Sequence, residues 1–469
     1  MDYRSKKILV IGSAMSGIGA IQLLSAEGAE ITLLEENEKV KEQELRAKLE
    51  AVLTPEQVDR VCIRIGPLPE EMYSREALDL IVPSPGVPLD SPLMQRLLDA
   101  GIPAVSEIEL AYTFDRGTVL AITGTNGKTT TTTLVGEIMK AACSAGTRYT
   151  DTFVVGNIGR SYAAASKDTR PDTVTVGEIS SFQLEAAPTF HPAVSAILNI
   201  TPDHLNRHYT MANYATIKEH IAKNQTPRDT CVLNYEDPYL RPFGLHLCPA
   251  HVVWFSSATK LREGFYLDGE DIYRADGKGG VQKLLNVQDM QLVGVCNAEN
   301  VMAAMAITEA AGVPMETILT VIREFPPVPH RIEFAGEKGG VRYYNDSKAT
   351  NPDAAIQGIR AMSRPTILIG GGYDKKNRYD EWIEAFDGKV KKLVLLGQTR
   401  EDIAACARAH GMTEIVMTDS FEECLQTCTE LAEPGDAVLL SPACASWGMF
   451  PNYEVRGDMF KEYVRNLPD

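Results

Sequence analysis

The chain has 469 residues, of which 44% are hydrophobic and 23% charged, and its formal net charge is −17. That length exceeds what one core supports and suits about two to four domains. The acidic balance disfavours non-specific nucleic-acid binding, which needs clustered Lys and Arg, while leaving room for a locally positive cleft that holds a small anion.

No run of about 20 apolar residues occurs, so no membrane span is expected and the cytoplasm is the expected compartment. Lys6-Lys7 followed by Ile8 to Ile11 imitates a signal peptide, but glycines at 12, 17 and 19 and the charged stretch Glu35 to Glu50 stand where a cleavage site would be. Nine cysteines are scattered without a CxxC pair. Cys424 and Cys428 lie one helical turn apart with no third ligand close in sequence, so free thiols are expected rather than zinc.

Three domains are predicted, at 1–106, 107–327 and 328–469. Residues 8 to 25 read as a strand, a glycine loop and a helix. The loop from Gly12 to Gly19, which includes Ser16 and Gly17, is a partial dinucleotide fingerprint whose glycine spacing is wrong for NAD. A second strand, Ile31 to Leu34, delivers Glu35 to its end, where a carboxylate can meet a ribose or a base edge. A third apolar strand ends in Ser84-Pro85-Gly86, an enforced open turn. These features describe a Rossmann-like scaffold, either empty or holding a nucleotide-linked substrate.

The second domain carries the strongest signal, TGTNGKTT from Thr123 to Thr130, placed after the apolar run Val119 to Ile122 and before a segment of helical spacing. Such a junction aims backbone N–H groups and the positive end of a helix dipole at one spot. Lys128 adds a charge for terminal phosphates and Thr129 a hydroxyl for magnesium. The match to a P-loop is incomplete, because Ile122 stands where its first glycine is expected. Gly124, Thr125, Asn126, Gly127, Lys128, Thr129 and Thr130 are therefore expected to cradle ATP or GTP.

Val174 to Gly177 alternates like a strand and ends at Glu178, where a P-loop sheet usually holds its metal; Ile179-Ser180-Ser181 follows. Ala196 to Ile200 predicts another strand, running into Thr201-Pro202-Asp203-His204, a second set of metal-capable side chains. Tyr214 to Ile221 has helical spacing, and on residue type alone Lys218 reads as an exposed lysine. The pairs Asp268-Gly269 and Asp276-Gly277 predict hairpins. Asn297 and Asn300 share one face near a helix start, which fits either capping or contact with a nucleotide.

Pro326 to Pro329 forms a stiff linker into the third domain, followed by His330-Arg331. Four apolar strands then end in small or polar residues: Tyr343-Tyr344 before Asn345 to Pro352, Thr366 to Ile369 before Gly370 to Lys375, Leu393 to Leu396 before Gly397-Gln398, and Val438 to Leu440 before Ser441 to Ser446. Helix-length segments separate them, so the expected fold is α/β with an open parallel sheet, whose ligands sit at the carboxyl ends of strands.

With GNIG at 156–159, GEISSFQL at 177–184, TPDHLNRH at 201–208, NAEN at 297–300, PHR at 329–331, NDSKATNPD at 345–353, GGYDK at 371–375 and SPACASW at 441–447, the chain resembles the Mur ligases. These are ATP-dependent enzymes that add amino acids to the UDP-linked cell-wall precursor. The resemblance implies a Rossmann-like domain that binds UDP-N-acetylmuramoyl-L-alanine through Ser16, Gly17, Glu35, Ser84 and Gly86, with Asn157 and Ser180 from the central domain. It implies Mg2+ on Thr129 and Glu178, and a second Mg2+ on His204 and Lys218, the latter carried as a carbamate. Lys128, His204, Lys218 and Lys348 would be catalytic, and Asn300, Arg331, Asp346 and Lys348 would contact ATP. Thr350, Lys375, Ser446 and the ring of Tyr453, where the family more familiarly has phenylalanine, would face D-glutamate.

The implied reaction joins D-glutamate to UDP-N-acetylmuramoyl-L-alanine through an acyl phosphate, by a monomer without nucleic-acid or membrane partners. The alternatives are a ligase of the folylpolyglutamate-synthase type, or a P-loop nucleotide-binding protein without ligase activity.

Overall fold

A computed structural model describes residues 2–468, which fold around three separate sheets. The first contains β1 (Lys7–Ile11), β2 (Glu30–Glu35), β3 (Val61–Ile65) and β4 (Leu80–Pro83), all parallel, in the order β3-β2-β1-β4. Strands β1 and β4 are nearly continuous apolar runs because helices cover both faces of a parallel sheet. The strand ending at Ser84 is thus the fourth, not the third. Strand β3 was not foreseen, since Val61, Ile63 and Ile65 alternate with Cys62 and Arg64 over only five residues.

The second sheet has nine strands: β5 (Thr118–Thr123), β6 (Asp151–Gly156), β7 (Thr173–Glu178), β8 (Val194–Ile197), β9 (Thr230–Asn234), β10 (His251–Ser256), β11 (Glu263–Asp268), β12 (Asp271–Asp276) and β13 (Val281–Asn286). Their order is β13-β12-β11-β10-β9-β8-β5-β7-β6. The last three strands form the two antiparallel hairpins expected at the Asp-Gly pairs, and Gly269 and Gly277 supply the positive φ of their turns. Strand β8 stops at Ile197, so Leu198 to Ile200 belong to the loop that follows it.

The third sheet contains β14 (Glu333–Lys338), β15 (Val341–Asn345), β16 (Thr366–Gly370), β17 (Val390–Leu395), β18 (Ile415–Met417) and β19 (Ala437–Leu440), in the order β14-β15-β19-β16-β17-β18. The expectation of a purely parallel four-stranded sheet is corrected here. Five strands are parallel, while β14 pairs antiparallel with β15 at one edge through the Gly339-Gly340 turn.

In each sheet the strand order reverses at one point, and the loops leaving the carboxyl ends beside it face an open crevice. These are the loops after β1 and β4, after β7, β5 and β8, and after β15, β19 and β16. One apolar core runs unbroken from Ile8, Ile21 and Leu24 of the first unit to Tyr162, Leu184, Tyr214 and Phe243 of the second. The third unit has its own cores on the two faces of its sheet, with Cys424 and Cys428 buried in one of them as ordinary apolar residues. Among the described residues no helix is long and apolar enough to cross a membrane.

Candidate active site

The TGTNGKTT segment forms the turn between β5 and the helix Lys128–Ser144. Gly124 and Gly127 adopt φ of +152° and +83°, conformations that other residues rarely take. A Cβ at position 127 would stand 2.2 Å from Asn300 Oδ1, so glycine there lets Asn300 lie directly under the loop. Asn300 in turn accepts from Thr131 Oγ1 (3.3 Å) and donates to Asn297 Oδ1 (3.1 Å). Neither asparagine caps the helix Val295–Ala310, so the capping alternative falls away. From the β8 loop, Asn199 clamps the turn in both directions: its Oδ1 accepts from Asn126 N–H (2.8 Å) and its Nδ2 donates to the Asn126 carbonyl (3.2 Å).

Two lysines converge on one carbonyl. Lys128 Nζ donates to Gly124 O at 2.8 Å and to Thr125 O at 2.7 Å, and Lys218 Nζ donates to the same Gly124 O at 2.7 Å. The exposed lysine expected at position 218 is therefore wrong: Lys218 is 1% exposed, with its ammonium over the Tyr214 ring. Burial, aided by the neighbouring Lys128 ammonium, holds Lys218 well below its usual value, against the opposing pull of Asp203 and Glu178. Lys128 is lowered by burial too.

Glu178, at the end of β7, is fully buried; Oε1 accepts from Asn157 Nδ2 (2.8 Å) while Oε2 has no hydrogen-bond partner. An orphaned buried carboxylate oxygen is what a divalent cation would satisfy, so Glu178 fits a metal, with the Thr129 hydroxyl of the P-loop as a further oxygen donor. Asp203 and His204 stand at the opposite lip, His204 Nε2 lying 3.5 Å from Asp203 Oδ2. Burial and the cations Lys128, Lys218 and Lys375 push the His204 ring down, which keeps a nitrogen lone pair free for a metal. Thr130 is buried in the first turn of the helix, its hydroxyl unpartnered.

The third unit closes this cleft. Lys348 Nζ donates to Thr129 Oγ1 across the interface (2.9 Å), and burial lowers Lys348 to about 8. Asp353 accepts from Thr201 Oγ1 (2.7 Å) and from Asn126 Nδ2, and Asn351 Nδ2 reaches Asp203 Oδ2 (3.4 Å). Between the units lies a cavity of about 100 Å³, lined among others by Gly127, Asn300, Arg331, Asp346 and Asp353. Arg331 Nε is buried there without a partner, and Asp346, pushed up to about 7 by burial, accepts from Ser441 Oγ (2.7 Å). Asn300, Arg331, Asp346, Lys128 and Lys348 are thus gathered in one place.

Thr350, Ser446 and Lys375 follow β15, β19 and β16, which are adjacent. Lys375 is exposed, its Nζ 5.3 Å from the centre of the Trp447 ring, and its charge is felt at His204. The half-buried Tyr453 ring carries the Lys348 ammonium 5.3 Å from its centre. A residue that sequence reasoning missed ties these loops together. Arg456, 2% exposed, donates to Ser347 Oγ (2.9 Å), Ser347 O (2.7 Å) and Cys444 O (3.3 Å). Asp353 and Thr201, inside the motifs, and Asn199 and Tyr214, outside them, were given no part in shaping the P-loop or docking the third unit.

The first unit offers a second crevice. A Cβ at Gly17 would lie 2.0 Å from the Gly12 carbonyl, so only glycine lets the helix start this close to the β1 loop. Glu35 Oε2 accepts from Ser13 Oγ (2.6 Å), Ser84 Oγ donates to Gly12 O (3.4 Å), and Ser16 and Gly86 border the same opening. Ser180 caps the short helix Ser181–Leu184, with Oγ accepting from Gln183 N–H (3.3 Å). Arg207 connects the two crevices: it pairs with Glu185 at 2.6 Å and donates to Val87 O at 3.0 Å, while Tyr209 binds Asp90. Beside it His208, 4% exposed, bonds Ser181 Oγ at 3.0 Å and is pushed down to about 4, chiefly by burial.

Three family models match the chain in order: the Mur ligase MurD-like N-terminal domain over residues 6–106, the Mur ligase middle domain over 122–308, and the Mur ligase glutamate ligase domain over 330–444. The chain belongs to the Mur ligase family. It is 53% identical over the whole of both chains to a UDP-N-acetylmuramoylalanine–D-glutamate ligase of Lachnospira eligens, and 43% identical to the one of Clostridioides difficile, again over both full lengths. The fold is that of UDP-N-acetylmuramate–alanine ligase from Thermotoga maritima, with a TM-score of 0.59 at 18% identity over 98% of this chain and 99% of that one. Like its family, this Mur ligase is an ATP-dependent enzyme that forms amide bonds, with Mg2+ as the metal that Mur ligases use.

In this Mur ligase, folding holds His208 neutral at a pH where the unfolded chain protonates it, so its contribution is complete above about 6.5 and is lost as pH falls towards 4. Between pH 7 and pH 5 the wild type should lose about 2 kcal/mol more stability than His208→Gln, measured by denaturant unfolding. Equal losses would show that His208 titrates normally in the fold.

Proposed function

We propose that this enzyme joins D-glutamate to UDP-N-acetylmuramoyl-L-alanine, converting ATP to ADP and phosphate, as a step in building the peptidoglycan precursor. The observation that carries this reading is the 53% identity, over the whole chain, to a ligase bearing that name. The cavity lined by Asn300, Arg331 and Asp346, with Lys128 and Lys348 both bonded to the P-loop that borders it, supports the ATP end of it. The crevice of Gly12, Gly17, Glu35, Ser84 and Gly86 supports the UDP end.

A carboxylate is a poor electrophile, so the alanyl carboxylate must first be activated. It attacks the γ-phosphorus of ATP, the bond to the bridging oxygen breaks, and ADP leaves an acyl phosphate behind. Lys128 and Lys348 stabilise the charge spread over the transferred group. Magnesium on Thr129 and Glu178, and a second ion on His204 and a carbamoylated Lys218, would screen the anionic reactants from one another. The amine of D-glutamate then attacks the acyl carbon, the tetrahedral adduct expels phosphate, and the amine proton passes to a base. Thr350, Lys375, Ser446 and Tyr453 hold the amino acid, and the docked third unit excludes water from the acyl phosphate.

Burial of Lys218 favours the neutral amine, the form that adds carbon dioxide to give a carbamate. Lys218→Ala should be nearly inactive and partly rescued by short carboxylic acids, which return an anionic oxygen to the metal. Full activity without rescue would take Lys218 out of the metal site.

The deciding assay is phosphate release from ATP in the presence of UDP-N-acetylmuramoyl-L-alanine, with D- and L-glutamate tested separately. Release should require the D-amino acid; release that ignores it would leave a nucleotide hydrolase. Within that assay, Lys375→Ala removes a charged hydrogen-bond donor, a loss of about 1.5–3 kcal/mol. The D-glutamate KM should rise by roughly one to two orders of magnitude, with the ATP and UDP-substrate values changing much less. The reverse pattern would misplace the amino-acid site.

A further inference from the structure

On the flank of the third sheet, the helices Asp380–Glu384 and Arg400–Ala409 pack side by side over one core containing Trp382, Ile383, Ile403, Ala404 and Ala407. Their facing edges carry two pairs, each spaced by one helical turn: Asp380 with Glu384, and Cys406 with His410, the residue that ends the second helix. Cys406 Sγ, a ring nitrogen of His410 and a carboxylate oxygen of Asp380 lie within 4.8 Å of one another. His410 Nε2 is 3.3 Å from Asp380 Oδ1, and its Nδ1 faces Glu384 Oε1 at 3.8 Å.

An ion pair between a protonated imidazole and two carboxylates explains Asp380, Glu384 and His410. It leaves the thiol aside: burial and the Asp380 carboxylate, to which the S–H hydrogen-bonds, push Cys406 up, with a smaller push from Glu384. Sulfur, nitrogen and oxygen donors about one point, with a further carboxylate behind the imidazole, are instead the donor set of a zinc-class cation. We propose that Asp380, Cys406 and His410 form a binding site for such a divalent cation, with Glu384 orienting the His410 ring through its Nδ1–H. Tetrahedral zinc spaces its sulfur and nitrogen ligands about 3.5 Å apart, so closing the site takes a shift of about 1 Å. Rotation about the Cys406 and His410 side-chain bonds supplies it, and the exposed Asp380 carboxylate follows. On binding, the Cys406 S–H bond is replaced by a sulfur–metal bond, the proton leaves to solvent, and nothing is oxidised. The ion would staple the helix that follows the Gly371–Lys375 loop to its neighbour, at a place distinct from the Thr129–Glu178 centre.

The test is titration of the reduced, chelator-treated full-length protein with Co2+. A thiolate-to-cobalt charge-transfer band should grow to saturation at one ion per chain and be displaced by Zn2+. The band should vanish in Cys406→Ser and His410→Gln. In Glu384→Gln it should remain but need about 10–100-fold more metal. Magnesium-type sites built from Thr129, Glu178 and His204 contain no thiolate and cannot produce it. A wild type without the band, or a band that persists unchanged in Cys406→Ser and His410→Gln, overturns the proposal.

Discussion

The arrangement of this enzyme turns on unmatched positive charge around a single loop. Lys128 and Lys218 share the Gly124 carbonyl, Lys348 reaches Thr129 from another unit, and Arg331 stands in the adjoining cavity with a bare Nε. The opposing carboxylates are few: Glu178 has one oxygen committed to Asn157, and Asp203 is shared with Asn351 and the His204 backbone N–H. Buried charge persists only when paired, and all three lysines respond by dropping below their usual values. An arriving polyphosphate reverses that response, because an anion close by favours the protonated amine. On the proposed reading, the site gains charge as it gains its ligand, and attraction is strongest once water has been excluded.

The rest of the fold serves that concentration of charge. A P-loop alone would hold phosphates, but Asn199 and Tyr214 fix its shape from the β8 side, and Asn300 fills the space that Gly127 leaves. The same principle operates in all three sheets, where loops leaving adjacent carboxyl ends face each other at the reversal of strand order. On the proposed reading, three strand-end sites built alike would serve a reaction with three ligands. Arg207, bridging Glu185 to the Val87 carbonyl, fixes the spacing between the first two.

Local features were readable from the sequence and long-range ones were not. TGTNGKTT announces itself because glycine, lysine and threonine act on neighbours within a few residues, and Glu178 follows from being the last residue of an alternating strand. Lys218 shows the opposite case. Its helix buries Tyr214, Ala215 and Lys218 on one face, and no composition rule tells a buried ammonium from an exposed one when its partner, the Gly124 carbonyl, is 94 positions away. Arg456 was silent for the same reason, since the groups that it organises, Ser347 and Cys444, belong to other strand ends. Strands β3, β6, β9, β10, β14 and β18 escaped notice because each owes its pairing to a neighbour rather than to its own pattern.

The joints between units differ in kind, and the difference matters for the reaction. The first two share one unbroken apolar core, so separating them would expose a large hydrophobic area and is strongly disfavoured. The third meets the second through Lys348 with Thr129, Asp353 with Thr201 and Asn126, and Asn351 with Asp203. Among the described residues, Cys296 is the apolar side chain of the second unit that packs on the third unit's core. Polar contacts of this sort exchange for water at little net cost, whereas a buried apolar seam does not. A ligase that must admit an amino acid, shut out water while an acyl phosphate exists, and then release a larger product needs one rigid joint and one that opens. On the proposed reading, the rigid joint would hold the acid substrate against the nucleotide site, and the polar joint carries Lys348 together with the loops proposed for the amino acid. On the proposed reading, opening the third unit would withdraw Lys348 and the amine site in a single movement, which would couple activation of the carboxylate to the presence of the group that consumes it.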